Sequence, residues 1–153
     1  MTDLQYFEDV GIGDVRETGS MLVDRDEIIA FARDFDPQPF HIDEAAAKAS
    51  IFGGLIASGW HTAAMTMRLL VDSFTGKISS TGSPGFDDLK WLKPVRPGDR
   101  IRVRSTCLEK IPSQSRPTIG VCKFKTEVLN QHDEPVMSLI SIAMYNRRPN
   151  TNA

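Results

Sequence analysis

Ser58-Gly59-Trp60-His61-Thr62-Ala63-Ala64-Met65-Thr66-Met67-Arg68-Leu69-Leu70-Val71-Asp72-Ser73-Phe74 is the stretch whose reading decides the fold. Trp60, Ala63, Ala64, Met67, Leu70, Val71 and Phe74 fall at i, i+3, i+4, i+7, i+10, i+11 and i+14. All seven lie on one helical face. Met65 and Leu69 lie off that stripe and are also apolar, so the helix is expected to be buried nearly all round. Ser58 is a natural N-cap and Gly76 a natural stop. The predicted helix is therefore about eighteen residues and roughly 27 Å long.

Downstream of Gly82 the pattern changes to strands. Phe86 to Val95 reads as one, and Arg96-Pro97-Gly98-Asp99 as a type II turn. In 101–108, Ile101, Val103, Ser105 and Cys107 alternate with arginines at 102 and 104. In 121–128, Cys122, Phe124, Thr126 and Val128 alternate with Lys123, Lys125 and Glu127. Val136 to Tyr145 is apolar on both faces and predicts a central strand. A short strand is expected near Gly19 to Val23. Upstream of the long helix, Asp24-x-x-Glu27 has the form of a capping box for a helix running to about Asp34. Pro37 and Pro39 then predict a stiff non-helical loop from Asp36 to Phe40, and Asp43 to Ala49 a short helix. One helix apolar nearly all round and three or four long antiparallel strands predict an α+β fold. A curved sheet wrapped around the helix buries it; a flat one would need a partner chain.

The chain has 153 residues, 41% apolar and 25% charged. That suits one soluble domain, expected over 1–146 with a polar tail at 147–153. No apolar run approaches the roughly 18 residues that span a bilayer, and the acidic start has no secretory pattern. Cys107 and Cys122 are too few for a disulfide framework, so free thiols in a cytoplasmic setting are expected. A net charge of −2 gives no reason to expect nucleic acid. The charge is nevertheless uneven. Residues 1–60 carry twelve acidic and four basic side chains; residues 90–125 carry ten basic and two acidic. Either the two halves attract one another across the fold, or the basic part forms a surface for an anionic small molecule.

Asp36-Pro37-Gln38-Pro39-Phe40-His41 is the stretch richest in chemistry. A carboxylate and an imidazole stand five residues apart, and the two prolines lower the entropy of the loop between them. Sharing one water, the two groups form an acid–base pair worth about 10²–10⁴-fold in rate. The alternative is that Asp36 caps a turn and His41 is an ordinary core histidine. Ser58 and Gly59 open the long helix, whose N-terminal N–H groups polarise a carbonyl oxygen placed there; the alternative is a plain serine cap. His61, in the first turn, is expected to be neutral and hydrogen-bonded, and His132 to be solvated. The histidines and cysteines lack metal-ligand spacing, so no metal is expected. No Walker loop, G-x-S-x-G or G-x-G-x-x-G occurs.

Asp36-x-x-Pro39-x-His41-x-Asp43, then Ala47, then Phe52-Gly53-Gly54-Leu55-Ile56-Ala57-Ser58-Gly59, resembles the MaoC-like dehydratases, the (R)-specific enoyl-CoA hydratase family. Leu92-Lys93-Pro94-Val95-Arg96-Pro97-Gly98-Asp99 resembles the same family. The resemblance implies a hot-dog fold and reversible hydration of trans-2-enoyl-CoA to (R)-3-hydroxyacyl-CoA. Carried over, Asp36 and His41 activate the water, and Gly59 N–H, beside Ser58, holds the thioester oxygen. It implies no metal or organic cofactor, coenzyme A being part of the substrate. It also implies a homodimer or dimer of dimers, with basic residues near 90–104 meeting the phosphates. Two positions depart from the family pattern D-x-N-P-L-H: Gln38 and Phe40 replace Asn and Leu. Met67 stands where some members carry a serine, lining an acyl pocket or filling core. Competing readings are a hot-dog thioesterase, whose water attacks the carbonyl carbon, and a non-catalytic acyl-CoA-binding or partner subunit.

Overall fold

Asp24 opens α1 (Arg25–Phe35) by accepting a hydrogen bond from the Glu27 N–H at 3.0 Å. The computed structural model describes residues 4–74 and 77–150. Two short strands, β1 (Val15–Glu17) and β2 (Met21–Leu22), precede α1. Two small helices follow it, α2 (Pro39–Ile42) and α3 (Glu44–Ala49), then the long α4 (Gly59–Phe74). The remaining strands are β3 (Ser80–Trp91), β4 (Arg100–Pro112), β5 (Ile119–Leu129) and β6 (Pro135–Asn146). They form one antiparallel sheet in the order β1-β4-β5-β6-β3, with β2 also paired to β4. The sheet packs on α4 in the hot-dog arrangement.

Alternation builds the sheet's inner face. Ile101, Val103, Ser105 and Cys107 of β4 are buried, as are Cys122, Phe124, Thr126 and Val128 of β5. β6 is central, flanked by β5 and β3, which is why its sequence is apolar on both faces. The predicted turn is present: Asp99 N–H donates to Arg96 C=O at 3.1 Å, and Gly98 has φ +88°. Both cysteines are free and buried. Burial first, then Cys107, pushes the Cys122 thiol up to about 11.

Several expectations need correcting. β3 begins at Ser80 rather than Phe86 and ends at Trp91. Gly82, Ser83, Pro84 and Gly85 look like a loop, yet the sheet edge tolerates them through register shifts. Pro39 and Phe40 are helical, because proline fits the first position of a helix. Gly76 lies outside the described residues. Among the described residues no ion pair joins the two oppositely charged parts of the sequence: Lys93, Arg102, Arg104 and Lys123 meet Glu134, Asp133, Glu127 and Glu109. The tail's first residues are tied down, with Arg147 bonded to Glu8 and Arg148 to Asp9.

The largest correction concerns α4. Its buried residues are His61, Thr62, Met65, Thr66 and Leu69, whereas Trp60 and Met67 are more than half and half exposed, 58% and 50%. The threonines account for the difference. Thr66 Oγ1 donates to the Thr62 carbonyl at 2.8 Å, so a residue that reads as polar has its hydroxyl satisfied inside the helix. The core then packs Met65 and Leu69 against Val23, Ile28, Ile101, Val103 and Val136. The predicted apolar stripe is left for the other side.

Candidate active site

Pro37 ends α1 one residue after its last turn, leaving Asp36 outside the helical conformation at the C-cap, with φ −153° and ψ 66°. Its N–H still bonds the Ala32 carbonyl at 2.8 Å, which fixes where the carboxylate starts. The single turn of α2 then carries His41 inward, and the imidazole is buried. Loop 50–58 closes the site from the other side: Ile56 N–H bonds Phe40 C=O, and Ala57 N–H bonds Val95 C=O at 2.8 Å.

His41 Nδ1 lies 2.8 Å from the Ile56 carbonyl oxygen. A carbonyl only accepts, so Nδ1 carries a hydrogen and Nε2 is the nitrogen left for chemistry. Nε2 faces Asp36 Oδ2 at 3.3 Å. Ser58, fully buried, donates its hydroxyl to the same Oδ2 at 2.7 Å, and the Gln38 amide donates to Oδ1 at 2.7 Å. Burial raises the Asp36 carboxyl, but the bonds from Ser58 and Gln38 and the neighbouring His41 outweigh it. The net effect is a carboxyl below its ordinary value. Asp36 is therefore an ionised acceptor aimed at the imidazole.

Ser58 does not cap α4 with its side chain, as its position suggested; the hydroxyl is spent on Asp36. Its carbonyl starts the helix by accepting from Thr62 N–H at 3.0 Å. The Gly59 N–H has no acceptor among the described residues and stands one residue from the serine that grips Asp36. A Cβ at Gly59 would lie 2.4 Å from the Trp91 indole, whose Nε1 donates to the Gly59 carbonyl at 3.0 Å. Glycine is thus required by the tryptophan packed on the helix start.

Phe40 meets the His41 ring edge-on, with centroids 4.5 Å apart, and packs on Phe52. Met67 sits about 12 Å further along α4 by helical rise, away from the Asp36–His41 pair. It lines a cavity of about 490 Å³ between the exposed stripe of α4 and the sheet, with Trp60, Leu70, Leu89 and Leu139 among its walls. Asp36, His41, Ser58, Gly59 and Phe40 are brought together, and Met67 is not. His61 lies on the far side of α4 from the cavity, stacked on Phe31 at 4.7 Å. Burial pushes its pKa down and keeps it neutral, but its Nδ1 has no partner, contrary to the hydrogen bond expected.

The family described as MaoC like domain matches residues 9–128. The chain belongs to the MaoC-like dehydratase family. A MaoC-like dehydratase from Rhodospirillum rubrum has a solved structure 43% identical to this chain. It matches with a TM-score of 0.87 over 95% of this chain and 99% of that one. An uncharacterized Bacillus subtilis protein, YdeM, is 33% identical over 82% of this chain and 87% of its own length. A 3-hydroxybutyryl-CoA dehydratase from Methylorubrum extorquens is 30% identical over 81% of this chain and 78% of its own. Against that background the MaoC-like chain's Gln38 has a visible task, reaching back to Asp36. Three contributors were not legible as such. The Ile56 carbonyl is backbone, with no side-chain signal. Gln38 reads as a departure rather than a donor. Trp91 reads only as one residue within the strand expected over Phe86 to Val95.

Proposed function

We propose that the protein adds water reversibly across the double bond of a trans-2-enoyl-CoA to give an (R)-3-hydroxyacyl-CoA. The observation that carries this reading is the Asp36–His41 pair, locked by Ser58 and Gln38 one residue from a free helix N–H. A water beside the pair, within reach of both the Asp36 carboxylate and His41 Nε2, gives up its proton to the pair while its oxygen attacks C3. As the O–C3 bond forms, the C2=C3 electrons move to the thioester oxygen. The Gly59 N–H and the positive end of α4 hold that oxygen as an enolate. The enolate collapses as C2 takes up the proton that the pair drew from the water. One water is consumed, and no metal or organic cofactor takes part; coenzyme A arrives with the substrate. Gly59 thus acts at the thioester and Ser58 acts on Asp36, while Phe40 borders the pair and Met67 walls the cavity that would take the acyl chain. We also read the protein as a homodimer, since the exposed stripe of α4 adjoins the free edge of β3.

The test is hydration of crotonyl-CoA and longer trans-2-enoyl-CoAs by the protein and its D36N and H41A variants, with product stereochemistry and free CoA read in the same samples. The (R)-3-hydroxy product is expected, with each variant slower by about 10²–10⁴-fold. Free CoA without hydroxyacyl product would identify a thioesterase instead. Equal rates in D36N and the parent would remove Asp36 from the mechanism.

A further inference from the structure

The cavity along α4 runs from Trp60, next to Gly59, to Phe74, a span of about 21 Å by helical rise. Near Trp60 its lining is mostly apolar. At the Phe74 end the character changes. Arg16 of β1 stands opposite Ser105 of β4, which stands opposite Thr126 of β5, so the three side chains share one face of the sheet. All three line the cavity, with Ser141 and Tyr145 of β6 beside them.

The Arg16 guanidinium lies near two aromatic rings, 5.8 Å from the centroid of Phe74 and 5.6 Å from that of Phe124. One of its nitrogens donates to the Tyr145 hydroxyl at 3.2 Å. Among the described residues no carboxylate lies within 4 Å of it. Glu17 and Asp72 line a second cavity with Arg16 but neither pairs with it, and Asp72 is engaged by Arg68 at 3.0 Å. Arg25, Arg68, Arg102, Arg104, Arg147 and Arg148 each pair with an acid. Among the described residues Arg16, Arg33, Arg96, Arg100 and Arg116 do not, and of these it is Arg16 that lines the cavity. Tyr145 is buried and its phenol is pushed up, so it keeps its proton; after accepting from Arg16 its O–H has no acceptor among the described residues. Ser105, Thr126 and Ser141 are linked by contacts of 3.3 and 2.8 Å, which place two of their three hydroxyl hydrogens.

Donors thus gather at the Phe74 end of a mostly apolar cavity, beside the second, more polar cavity that Arg16, Phe74 and Ile78 also line. A plain alkyl chain there would cover a cation and leave it without a partner. A planar anion satisfies them, and the guanidinium fork of Arg16 has the geometry that suits a carboxylate. We propose that this chain acts on thioesters whose acyl group carries a carboxylate at its far end, held by Arg16 and Tyr145. This rests on the hydratase reading above and names the substrate class for the same site.

The test compares trans-2-enoyl-CoAs of eight, twelve and sixteen carbons with their ω-carboxylated counterparts, on the parent and on Arg16→Gln, Arg16→Lys and Tyr145→Phe. At the length that fits, the ω-carboxylated substrate is expected to have a kcat/KM about ten- to hundredfold higher, the scale of a charge-assisted bond. Arg16→Gln should erase that preference, and Arg16→Lys and Tyr145→Phe should reduce it. Preference for plain substrates at every length, or a carboxylate preference that survives in Arg16→Gln, would overturn the proposal. Turnover of plain substrates alone would leave the hydratase reading standing and sink only this one. If no enoyl-CoA turns over, the hydratase reading fails. Equilibrium binding of saturated ω-carboxyacyl-CoA against alkyl-CoA, parent against Arg16→Gln, then decides the pocket separately.

Discussion

Asp36 has two carboxylate oxygens and three polar neighbours, and the division between them matters. Gln38 holds Oδ1, while Ser58 and His41 converge on Oδ2. Both hydrogen bonds favour the charged form, which is why the carboxyl sits below its ordinary value despite burial. Removing the serine hydroxyl removes the first of those compensations. Ser58→Ala is therefore expected to raise the Asp36 pKa, to move the acid limb of the kcat/KM profile upward, and to slow the enzyme about tenfold at neutral pH. The linked effect on stability has a definite sign. A carboxyl depressed in the folded state contributes stability above its unfolded pKa and loses it as pH falls through the folded value. The Ser58→Ala protein should therefore unfold with a shallower acid dependence than the parent. An unmoved acid limb in a well-folded variant would mean that Ser58 does not tune Asp36. At this scale the sequence was informative because chemistry follows residue type: a carboxylate, an imidazole and two prolines in six residues leave few arrangements. The sequence was silent where backbone does the work, as with the Ile56 carbonyl that sets the imidazole's tautomer.

Among the elements, the start of α4 couples the site to the sheet. Trp91, the last residue of β3, lies on the helix beginning and bonds the Gly59 carbonyl. Gly59→Ala would drive a Cβ into the indole at 2.4 Å. The ring is large and already bonded, so the helix start must shift. A loss of about 1–3 kcal/mol in urea denaturation is expected, the usual cost of overpacking, together with loss of turnover as the N–H moves. Trp91→Leu opens the space, and the Gly59→Ala/Trp91→Leu pair should regain most of the stability lost by Gly59→Ala alone. Additive losses in the pair would show that the two residues are independent. Elements whose patterns were clean, β4 and β5, were legible because alternation leaves one consistent face. β3 was not, since an edge strand pairs on one side only and so tolerates Gly82, Pro84 and Gly85, residues that read as loop. The orientation of α4 was misread for a physical reason. An apolar stripe tells which face avoids water, but a threonine that bonds its own helix competes for the core on equal terms.

For the molecule as a whole, that misread stripe becomes the argument. Trp60, Met67 and Val71 are 58%, 50% and 44% exposed, and Phe86 and Trp91 on β3 are 52% and 46% exposed. The two tryptophans touch, with ring centroids 5.2 Å apart, so the patch is continuous from helix to strand. Among the described residues β3 pairs only with β6, which leaves its other edge open to strand addition. An apolar surface of this kind, next to an open sheet edge, is stable in water when a second surface covers it. The same chain, turned about a two-fold axis, offers an edge and a stripe of the same composition. Charge does not oppose this arrangement, because Lys93, Arg102, Arg104 and Lys123 spend their charge on local acids. Sedimentation at micromolar concentration is expected to give one species of twice the chain mass, and Phe86→Glu with Val71→Glu a folded monomer. Because Phe86 and Val71 also rim the cavity, the monomer should bind acyl-CoA more weakly as its open side fills with water. A parent protein that sediments as a monomer while hydrating enoyl-CoA at full rate would show that the stripe serves the substrate alone.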